Sequence, residues 1–526
     1  MLLAGLLGLR EGGDMINAIG RNLPEHVDGY GQVRPFAGAF ATKPDMLRTA
    51  PAVKMMRPGE SKLVGSLEDV FKKIPLKDGM TLSFHHHFRN GDGVVNMVLD
   101  VAAKLGLKNL KVALSSVFPV HAPLVDHFKS GVVSSLDTNY VSGPVGHAIS
   151  QGIFGRPTIM RTHGGRARAI ECGQLKIDVA FIAAPAADDY GNTNGVIGPA
   201  ACGSLGYAFS DAEYADVVVA VTDHLMEYPL SPISIPQTRV DYVVNVDKIG
   251  DPKGIVSGST RITNDPVHLK IADAAARVIQ ASGLLKDGFS FQTGAGGASL
   301  AVAHFIRGMM KASGITGSFA LGGITGCLVQ MLEDGLFKRI IDAQGFDLEA
   351  VRSLATNPNH LEVSASFYAN PFNSGCIVNK LDCVILGATE IDTVFNVNVV
   401  TGSNGVIMGG SGGHSDAAAG AKLTIIVANL VRGRLPIVID NVLTATTPGE
   451  TVDVLVTERG ISVNPQRADL QERLTAAGLP VKDINELKSL AEKIAGKPQP
   501  IRTSEKIVAV VEYRDGTVID IVRQVQ

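Results

Sequence analysis

IDVAFIAAPAADDYGNTN at residues 177–194 and LDCVILGATEIDTVFNVN at residues 381–398 are two copies of one sequence pattern. Asp188 of the first copy matches Asp392 of the second, 204 positions later, and the flanking Asp and Asn residues keep the same offset. A repeat that holds one register over a whole segment predicts a duplicated structural unit.

The repeat extends towards the N-terminus. PLVDHFKSG at 123–131 lies over CLVQMLEDG at 327–335 with the same offset, and the KDG that begins at Lys77 returns at Lys286. In each copy an apolar strand pattern runs into a turn, and the turn opens a helix with apolar residues at helical spacing. In the second copy these helical positions are Val302, Phe305, Ile306, Met309 and Met310.

Short β-branched runs at 217–222, 435–440 and 452–457 alternate with helical stretches. Such alternation is typical of an α/β protein with a largely parallel sheet. We therefore predict two pseudo-symmetric, open, largely parallel sheets with helices on both faces. Near the C-terminus, EKIVAVVEY and TVIDIV flank an Asp515-Gly516 turn, which predicts a β-hairpin.

The duplication divides the chain into three parts. Residues 1–60 are interpreted as an N-terminal extension and an irregular arm. Residues 61–265 are predicted to form the first domain with a Gly- and Pro-rich connector, and residues 266–526 the second domain, which carries most of the ligand site. The opening MLLAGLLGLR lacks a basic segment and a clear cleavage site, so we interpret it as an upstream extension and not as a signal peptide.

The composition excludes several classes of protein. Lys and Arg number 48 against 51 Asp and Glu, so the bulk charge does not favour a nucleic acid or an anionic membrane as partner. Five cysteines without C-x-x-C spacing argue against disulfides and against a zinc cluster. No run approaches the about 18–20 apolar residues that a spanning helix needs. We expect a cytoplasmic protein.

Three glycine-rich turns are candidates for binding an anionic group. In open α/β sheets, ligands bind beyond the carboxyl ends of the strands, where main-chain amides and helix N-termini point at them. A tight corner or a flexible loop is the alternative for any one turn. We expect Val at position 410 to enter the ligand space without unfolding the protein. The candidate residues in the three turns are Gly294, Gly296 and Gly297; Gly322, Gly323 and Thr325; and Gly409, Gly410, Gly412 and Gly413.

GATEID at 387–392 places Glu390 and Asp392 on one side of an extended segment. The first copy has Ala186 and Asp188 at the matching positions. The shared Asp is therefore interpreted as structural, and Glu390 as the functional candidate.

SFHHHFRNGDG at 83–93 contains His85, His86, His87 and Arg89. Three adjacent histidines on a strand cannot all face one metal ion, so we predict no metal site here. The plainer interpretation is a solvated polar loop.

The order QTGAGG, EID, GGSGG and VTERG resembles the acyl-CoA transferase superfamily, in its acetyl-CoA hydrolase and 4-hydroxybutyrate transferase branch. SFHHHFRNGDGVVN and NPNHLEVSASFYANPFNSGCIVNKLD are similar to citrate lyase alpha subunits, and this resemblance runs from about Met15 to Gln526.

The resemblance implies that acetyl-carrier protein and citrate give citryl-carrier protein and acetate. A beta subunit would then cleave the citryl thioester. A gamma subunit, the acyl carrier protein, would carry the phosphoribosyl dephospho-CoA group, for which acetyl-CoA would serve as an analogue. No cofactor would be bound tightly by this chain, and the assembly would be oligomeric.

One departure from the superfamily bears on mechanism. Covalent members carry a nucleophilic Glu just after the strand that here ends in ALGGITG, but this segment has no acid, and the nearest one is Glu333. We therefore expect direct attack by a citrate carboxylate within a ternary complex, with Gly322, Gly323, Thr325 and Glu390 as catalytic candidates. Cationic and donor groups for citrate are predicted at His87, Arg89, Arg166 and Arg168, although these arginines are equally compatible with surface charges.

Two alternatives stay open. The first is a transferase or hydrolase that uses acetyl-CoA with another carboxylate, such as citramalate. The second is a non-catalytic scaffold for the carrier protein.

Overall fold

The computed structural model describes residues 14–41, 50, 51, 54, 57, 59–255, 263–294 and 296–526. An N-terminal arm contributes four short strands: β1 (Asp14–Ile16), β2 (Asn22–Pro24), β3 (His26–Val27) and β4 (Gly31–Gln32). The predicted extension at 1–13 lies outside the described residues.

The first half of the chain alternates strands and helices. Its strands are β5 (Leu63–Val64), β6 (Thr81–Phe84), β7 (Leu110–Leu114), β8 (Val133–Thr138), β9 (Thr158–Met160), β10 (Val179–Ala183), β11 (Ala186–Asp188), β12 (Thr193–Asn194), β13 (Val217–Thr222), β14 (Leu225–Met226) and β15 (Tyr242–Asn245). Its α-helices are α1 (Leu67–Lys73), α2 (Val94–Lys104), α3 (Leu124–Lys129), α4 (Pro144–Ser150), α5 (His163–Glu171) and α6 (Ala208–Tyr214).

The second half repeats this plan. Its strands are β16 (Ser290–Thr293), β17 (Gly317–Ile324), β18 (Phe337–Gly345), β19 (His360–Glu362), β20 (Cys383–Gly387), β21 (Glu390–Asp392), β22 (Val397–Asn398), β23 (Leu423–Val427), β24 (Val431–Arg432), β25 (Leu435–Pro436), β26 (Val438–Ile439), β27 (Val454–Thr457) and β28 (Gly460–Val463). Its α-helices are α7 (Pro266–Ser282), α8 (Gly297–Ser313), α9 (Gly326–Glu333), α10 (Leu348–Thr356), α11 (Ala365–Ala369), α12 (His414–Gly420), α13 (Ala468–Ala476) and α14 (Ile484–Ala495). A final hairpin consists of β29 (Thr503–Glu512) and β30 (Val518–Val525).

The two halves contain equivalent parallel sheets, which confirms the predicted duplication and fold class. Seven strands run in the order β9-β8-β7-β6-β10-β13-β15 in the first half and β19-β18-β17-β16-β20-β23-β27 in the second. Within each set all neighbours are parallel. The strands that precede the two quoted acids, β10 and β20, differ by 204 residues at both ends.

Burial on both faces explains the composition of the central strands. Every residue of β10 (VAFIA) and β23 (LTIIV) is buried, as expected where helices cover both sides of a parallel sheet. The run at 435–440, predicted as a sheet strand, instead forms β25 and β26 outside the main sheet. The first half has the same arrangement, since β14 pairs with β11 as β26 pairs with β21, in a small sheet beside the main one.

The C-terminal hairpin is confirmed, but it belongs to the first sheet. β29 pairs in parallel with β9, and the arm packs on the hairpin, where Asn17 donates a hydrogen bond to the carbonyl of Ile519 at 2.8 Å. The range 266–526 thus includes strands of the first sheet, while the division into domains stays a prediction. Among the described residues, no helix has the length and apolar character needed to cross a membrane.

The two halves contact each other through equivalent loops. The amide of His163 in the first half donates to the carbonyl of Gly412 in the second, at 2.8 Å, and the amide of Ala365 in the second donates to the carbonyl of Gly206 in the first, at 2.9 Å. Each half therefore holds the loop that precedes α6 or α12 of the other half, and the carboxyl ends of the two sheets face each other.

Candidate active site

A cavity of about 280 Å³ lies between the facing strand ends. All three predicted glycine turns contribute to its lining, through Gly294, Gly322, Gly323, Gly410, Gly412 and Gly413. The turns are thus brought together in one shared cavity, although they are up to 119 residues apart in the chain (Gly294 to Gly413).

The loop at 409–413 is fixed by main-chain hydrogen bonds to the first half. The amide of Val141 donates to the carbonyl of Gly409, and the amide of Gly412 donates to the carbonyl of Asn139, both at 3.1 Å. Three amides of the loop have no acceptor within the described protein, those of Gly410, Ser411 and Gly413. These three donors remain available to a ligand.

A side chain at position 410 would not point into the cavity. An added Cβ would contact the carbonyl oxygen of Asn139 and would lie 2.6 Å from the Cα of Tyr140. The expectation that Val at 410 would enter the ligand space is therefore wrong, because the space beside Gly410 is occupied by main chain of the first half.

Arg89 lies in the cavity between aromatic rings from both halves. Its guanidinium carbon is 5.2 Å from the ring centre of Phe118 and 4.9 Å from that of Phe346. Both distances are in the range of a cation–π interaction. Burial lowers the pKa of Arg89, but a guanidinium stays protonated in proteins. Phe346 in turn packs on Gly323, where an added Cβ would be 2.6 Å from ring atom Cδ2.

Two imidazoles and a tyrosine form the wall contributed by the first half. The ring of Tyr207 lies 4.5 Å from those of His86 and His163. His86 Nε2 bonds Gln344 Oε1 at 3.0 Å, so that nitrogen is the donor, and Nδ1 accepts from the hydroxyl of Ser115 at 2.6 Å. The orientation of Gln344 follows because its Nε2 donates to the carbonyl of His86 at 3.0 Å.

These imidazoles are neutral. Burial lowers the pKa of His163 to about 3 and that of His86 well below its usual value, and the neighbouring Arg89 acts in the same direction on both. His163 Nδ1 is buried without a partner in the described protein. A buried donor without an acceptor is costly, so the tautomer with its proton on Nε2 is favoured.

Three residues predicted to bind substrate lie elsewhere. Arg166 forms a two-pronged ion pair with Asp211, at 2.7 and 2.8 Å. Arg168 is buried and donates to Gln174 Oε1 at 2.6 Å. His87 accepts from the amide of Tyr207 at 3.3 Å. These groups do not line the cavity, which corrects the prediction for all three. The interpretation of 85–87 as a solvated loop is also wrong, because all three histidines are buried.

Other predicted site residues likewise lie outside the lining. Glu390 is buried and accepts hydrogen bonds from Asn398 Nδ2 at 3.0 Å and from the amide of Leu443 at 3.2 Å, so its position is structural. Thr325 is the N-cap residue of α9. Gly296 is the N-cap residue of α8 and Gly297 its first residue. The carbonyl of Gly409 accepts a hydrogen bond from the amide of Val141.

The shared Asp of the repeat makes the same hydrogen bonds in both halves. Asp188 accepts from the amide and the side chain of Asn192, at 3.0 and 2.8 Å. Asp392 does the same with Asn396, at 2.9 and 3.1 Å.

Sequence reasoning missed most of the polar lining. His86, Tyr140, His163, Tyr207, Gln344 and Tyr368 all border the cavity. The triplet at 85–87 marked the right turn but not which histidine faces the ligand. No comparable pattern surrounds Tyr207 or Gln344.

The lining is also defined by what it lacks. Of the described residues that border the cavity, none is Asp, Glu, Cys or Lys. The hydroxyl of Ser116 donates to the carbonyl of Ser115 at 2.7 Å, and Ser411 Oγ bonds Ser415 Oγ at 2.9 Å. The described lining therefore offers hydrogen-bond donors and the guanidinium of Arg89, and it contains no acidic or thiol nucleophile.

Duplicated parallel sheets with a glycine-walled cavity between their strand ends define a protein with a CoA-transferase-like fold. The same fold is seen in the alpha subunit of a malonate decarboxylase from Acinetobacter baumannii, with a TM-score of 0.63, 16% identity, and coverage of 84% of this chain and 95% of that chain.

Residues 60–525 match the family model "Citrate lyase, alpha subunit". The citrate lyase alpha chain of Klebsiella pneumoniae is 51% identical over 492 residues, which cover 94% of this chain and 96% of that one. That of Haemophilus influenzae is 53% identical over 467 residues, covering 89% and 93%. The alpha subunit from Streptococcus mutans, solved in complex with citrate, has a TM-score of 0.93 and 51% identity and covers 97% of this chain and 100% of that chain.

The chain belongs to the citrate lyase alpha subunit family. It is therefore a component of a multi-subunit citrate lyase, with transferase activity.

Proposed function

We propose that the chain transfers the thiol of an acyl carrier protein from acetyl to citrate, giving citryl-carrier protein and acetate. The carrier thiol would be that of a phosphoribosyl dephospho-CoA group on a gamma subunit, with acetyl-CoA as its analogue. A beta subunit would cleave the citryl thioester, within an oligomeric assembly. The family supports the proposal, as does the Streptococcus mutans relative that was solved with citrate.

The observation that carries the mechanism is the absence of Asp, Glu and Cys from the described cavity lining. An enzyme thioester or anhydride would need such a carboxylate or thiolate in contact with the substrate. The serine hydroxyls of the described lining are engaged, Ser116 with the carbonyl of Ser115 and Ser411 with Ser415 Oγ. Without one, a citrate carboxylate oxygen attacks the acetyl carbonyl carbon directly, and the carrier thiolate leaves. The thiolate then attacks the citryl carbonyl of the resulting mixed anhydride, and acetate leaves. Neither step consumes a proton.

The two walls of the cavity suit the two substrates. The amides of Gly410, Ser411 and Gly413 belong to the second half and would stabilise the oxyanion of a tetrahedral intermediate, an effect of about 3–4 kcal/mol per donor in well-studied enzymes. Arg89, His163 and Tyr207 belong to the first half and provide a cation and neutral hydrogen-bond donors for the carboxylates of citrate. Holding both partners in one cavity supplies the proximity that the reaction requires.

A trapping experiment tests the mechanism. We expect the mass of the enzyme to stay unchanged after incubation with acetyl-carrier protein or acetyl-CoA without citrate, followed by hydroxylamine or borohydride. Initial rates should give intersecting lines when both substrates are varied, because a ternary complex forms. A trapped adduct on the enzyme together with parallel lines would contradict direct attack. Assays with citrate and citramalate side by side define the acceptor, and carrier binding without any acyl exchange would favour the scaffold.

Replacing Gly323 with Ala tests the contact between Arg89 and the ring of Phe346. The new methyl group would displace Phe346, so the KM for citrate should rise about tenfold, which corresponds to the loss of a buried cation–π contact of about 1–2 kcal/mol.

The control is Phe346→Ala, which removes the same contact directly. The double variant should be no worse than either single variant, because both act through one ring. Additive effects on KM would show that Gly323 acts in another way.

A further inference from the structure

One hydroxyl of the cavity wall has a partner on one side alone. The side chain of Tyr368, in α11, lines the cavity and is buried. Its oxygen accepts a hydrogen bond from Gln292 Nε2 at 2.9 Å. Among the described residues, no acceptor lies within hydrogen-bond distance of this hydroxyl. Its proton is therefore not used by the described protein.

The orientation of Gln292 decides that the hydroxyl is a donor to spare. Gln292 Oε1 is buried and has no donor within the described residues. In the reverse orientation, Oε1 would accept the phenol proton, and the amide nitrogen would be buried with two hydrogens and no acceptor. A buried N–H without an acceptor is rarer in folded proteins than a carbonyl oxygen without a donor. The orientation in which Nε2 donates to the phenol is therefore favoured.

The phenol lies beside the loop that we propose to bind the thioester. An added Cβ on Gly413 would clash with the hydroxyl oxygen of Tyr368 and would lie 3.3 Å from its Cζ. Gln292 packs on a second glycine turn, since an added Cβ on Gly322 would lie 2.9 Å from Gln292 Cδ. The unused hydroxyl and the unused amides at 410–413 thus border the same part of the cavity.

The hydroxyl keeps its proton in this position. Burial raises the pKa of Tyr368, and the nearby carboxylate of Asp416 acts in the same direction. The hydrogen bond from Gln292 and the charge of Arg514 oppose this shift without reversing it. At neutral pH the phenol is therefore a neutral donor and carries no negative charge towards an anionic ligand.

We propose that Tyr368 is a further catalytic residue, whose hydroxyl donates a hydrogen bond to the thioester carbonyl oxygen beside the amides of the 410–413 loop, and that Gln292 positions it. This rests on the proposed function, since it takes a thioester as substrate. When the citrate carboxylate attacks, the electron pair of the carbonyl bond moves to the oxygen, and it returns as the carrier thiolate leaves. The phenol proton stays on Tyr368 throughout. A donor that is already in place stabilises this charge without reorganisation.

A thioester with sulfur in place of the carbonyl oxygen tests the contact. Dithioacetyl-CoA has C=S where acetyl-CoA has C=O, and sulfur is the weaker hydrogen-bond acceptor. The preference of the full chain for acetyl-CoA is the ratio of the two kcat/KM values, measured with citrate as acceptor. We expect this preference to fall about tenfold in Tyr368→Phe, as for the loss of one hydrogen bond. With acetyl-CoA, kcat should fall about 100-fold and KM for citrate should change little.

Tyr207→Phe is the matched control, because Tyr207 lines the same cavity from the first half. It should raise KM for citrate and keep the wild-type preference for acetyl-CoA over dithioacetyl-CoA. An unchanged preference in Tyr368→Phe, or an equal change in both variants, would overturn the inference.

Removing both hydrogen-bond partners separates catalysis from stability. Tyr368→Phe leaves the Gln292 amide buried without its acceptor, so the melting temperature should fall. The double variant Gln292→Met, Tyr368→Phe lacks both polar groups, and its melting temperature should recover. Its kcat should nevertheless stay about 100-fold below that of the wild type. Recovery of kcat together with stability would show that Tyr368 is a structural residue.

The role of Gln292 has its own measurement. Gln292→Met alone should lower kcat less than Tyr368→Phe does, and the double variant should be no slower than Tyr368→Phe, because Gln292 acts only through the phenol. Additive effects on kcat would show that Gln292 does not act by positioning Tyr368.

The two proposals fail in different ways. If the wild type passes no acyl carrier thiol to citrate, the proposed function is wrong, and this inference with it. If the wild type catalyses the transfer and Tyr368→Phe keeps both kcat and the preference for acetyl-CoA, only the role of Tyr368 is wrong.

Discussion

Replacing Arg89 with Gln should lower kcat/KM for citrate about 100-fold while the fold is retained. Removing the charged partner of a buried carboxylate costs about 2–5 kcal/mol, and about 2.7 kcal/mol corresponds to that factor. The loss should appear mainly in KM for citrate, because the amides of Gly410, Ser411 and Gly413, which we propose to bind the thioester, are untouched. Steady-state kinetics with acetyl-CoA as donor measure the effect.

Arg166→Gln is the matched control, because it makes the same substitution at an arginine that does not line the cavity. Arg166 pairs with buried Asp211, so its loss should reduce the free energy of unfolding by about 3–5 kcal/mol. Arg89→Lys should recover part of the activity, because it keeps the charge but not the planar group between the rings of Phe118 and Phe346. If Arg89→Gln changed the melting temperature and left KM for citrate unaltered, Arg89 would be a structural residue.

The fold was predictable because it follows from local sequence patterns. A β-branched run such as 217–222 predicts a strand without any information about distant residues. The constant offset between Asp188 and Asp392 indicates the duplication directly. The same holds for the glycine turns, since loops that follow parallel strands gather at one edge of each sheet. The run at 435–440 shows the limit of this reasoning, because a β-branched pattern does not tell which sheet a strand joins, and this run joins the small sheet with β21.

The side chains of the site were less predictable, because their roles depend on partners that are distant in sequence. Arg89 and Arg166 look alike as predicted citrate ligands, yet Asp211, 45 residues further on, occupies Arg166. Glu390 is occupied by the amide of Leu443, 53 residues away. His163 faces the cavity because its amide donates a hydrogen bond to the carbonyl of Gly412 in the other half. Sequence patterns do not predict that contact between the halves.

The contact between the halves also explains why a single methyl group at position 410 should strongly reduce turnover. In Gly410→Ala, the Cβ would meet the carbonyl of Asn139 and the Cα of Tyr140. Main chain cannot rotate away as a side chain does, so the loop must move off the first half, at an overpacking cost of about 1–3 kcal/mol. The movement would also weaken the hydrogen bond from Gly412 to Asn139.

The expected result is a lower melting temperature and a fall in kcat of about 100-fold, comparable with the loss of one oxyanion donor, because the amides of Gly410, Ser411 and Gly413 would shift relative to the proposed position of the thioester. Gly387→Ala is the matched control, since Gly387 lines the same cavity and an added Cβ there meets no atom within 4 Å. Its melting temperature should match that of the wild type. Wild-type kcat and stability in Gly410→Ala would show that the loop is not held against the first half, and the two-walled cavity on which the mechanism depends would then not exist in solution.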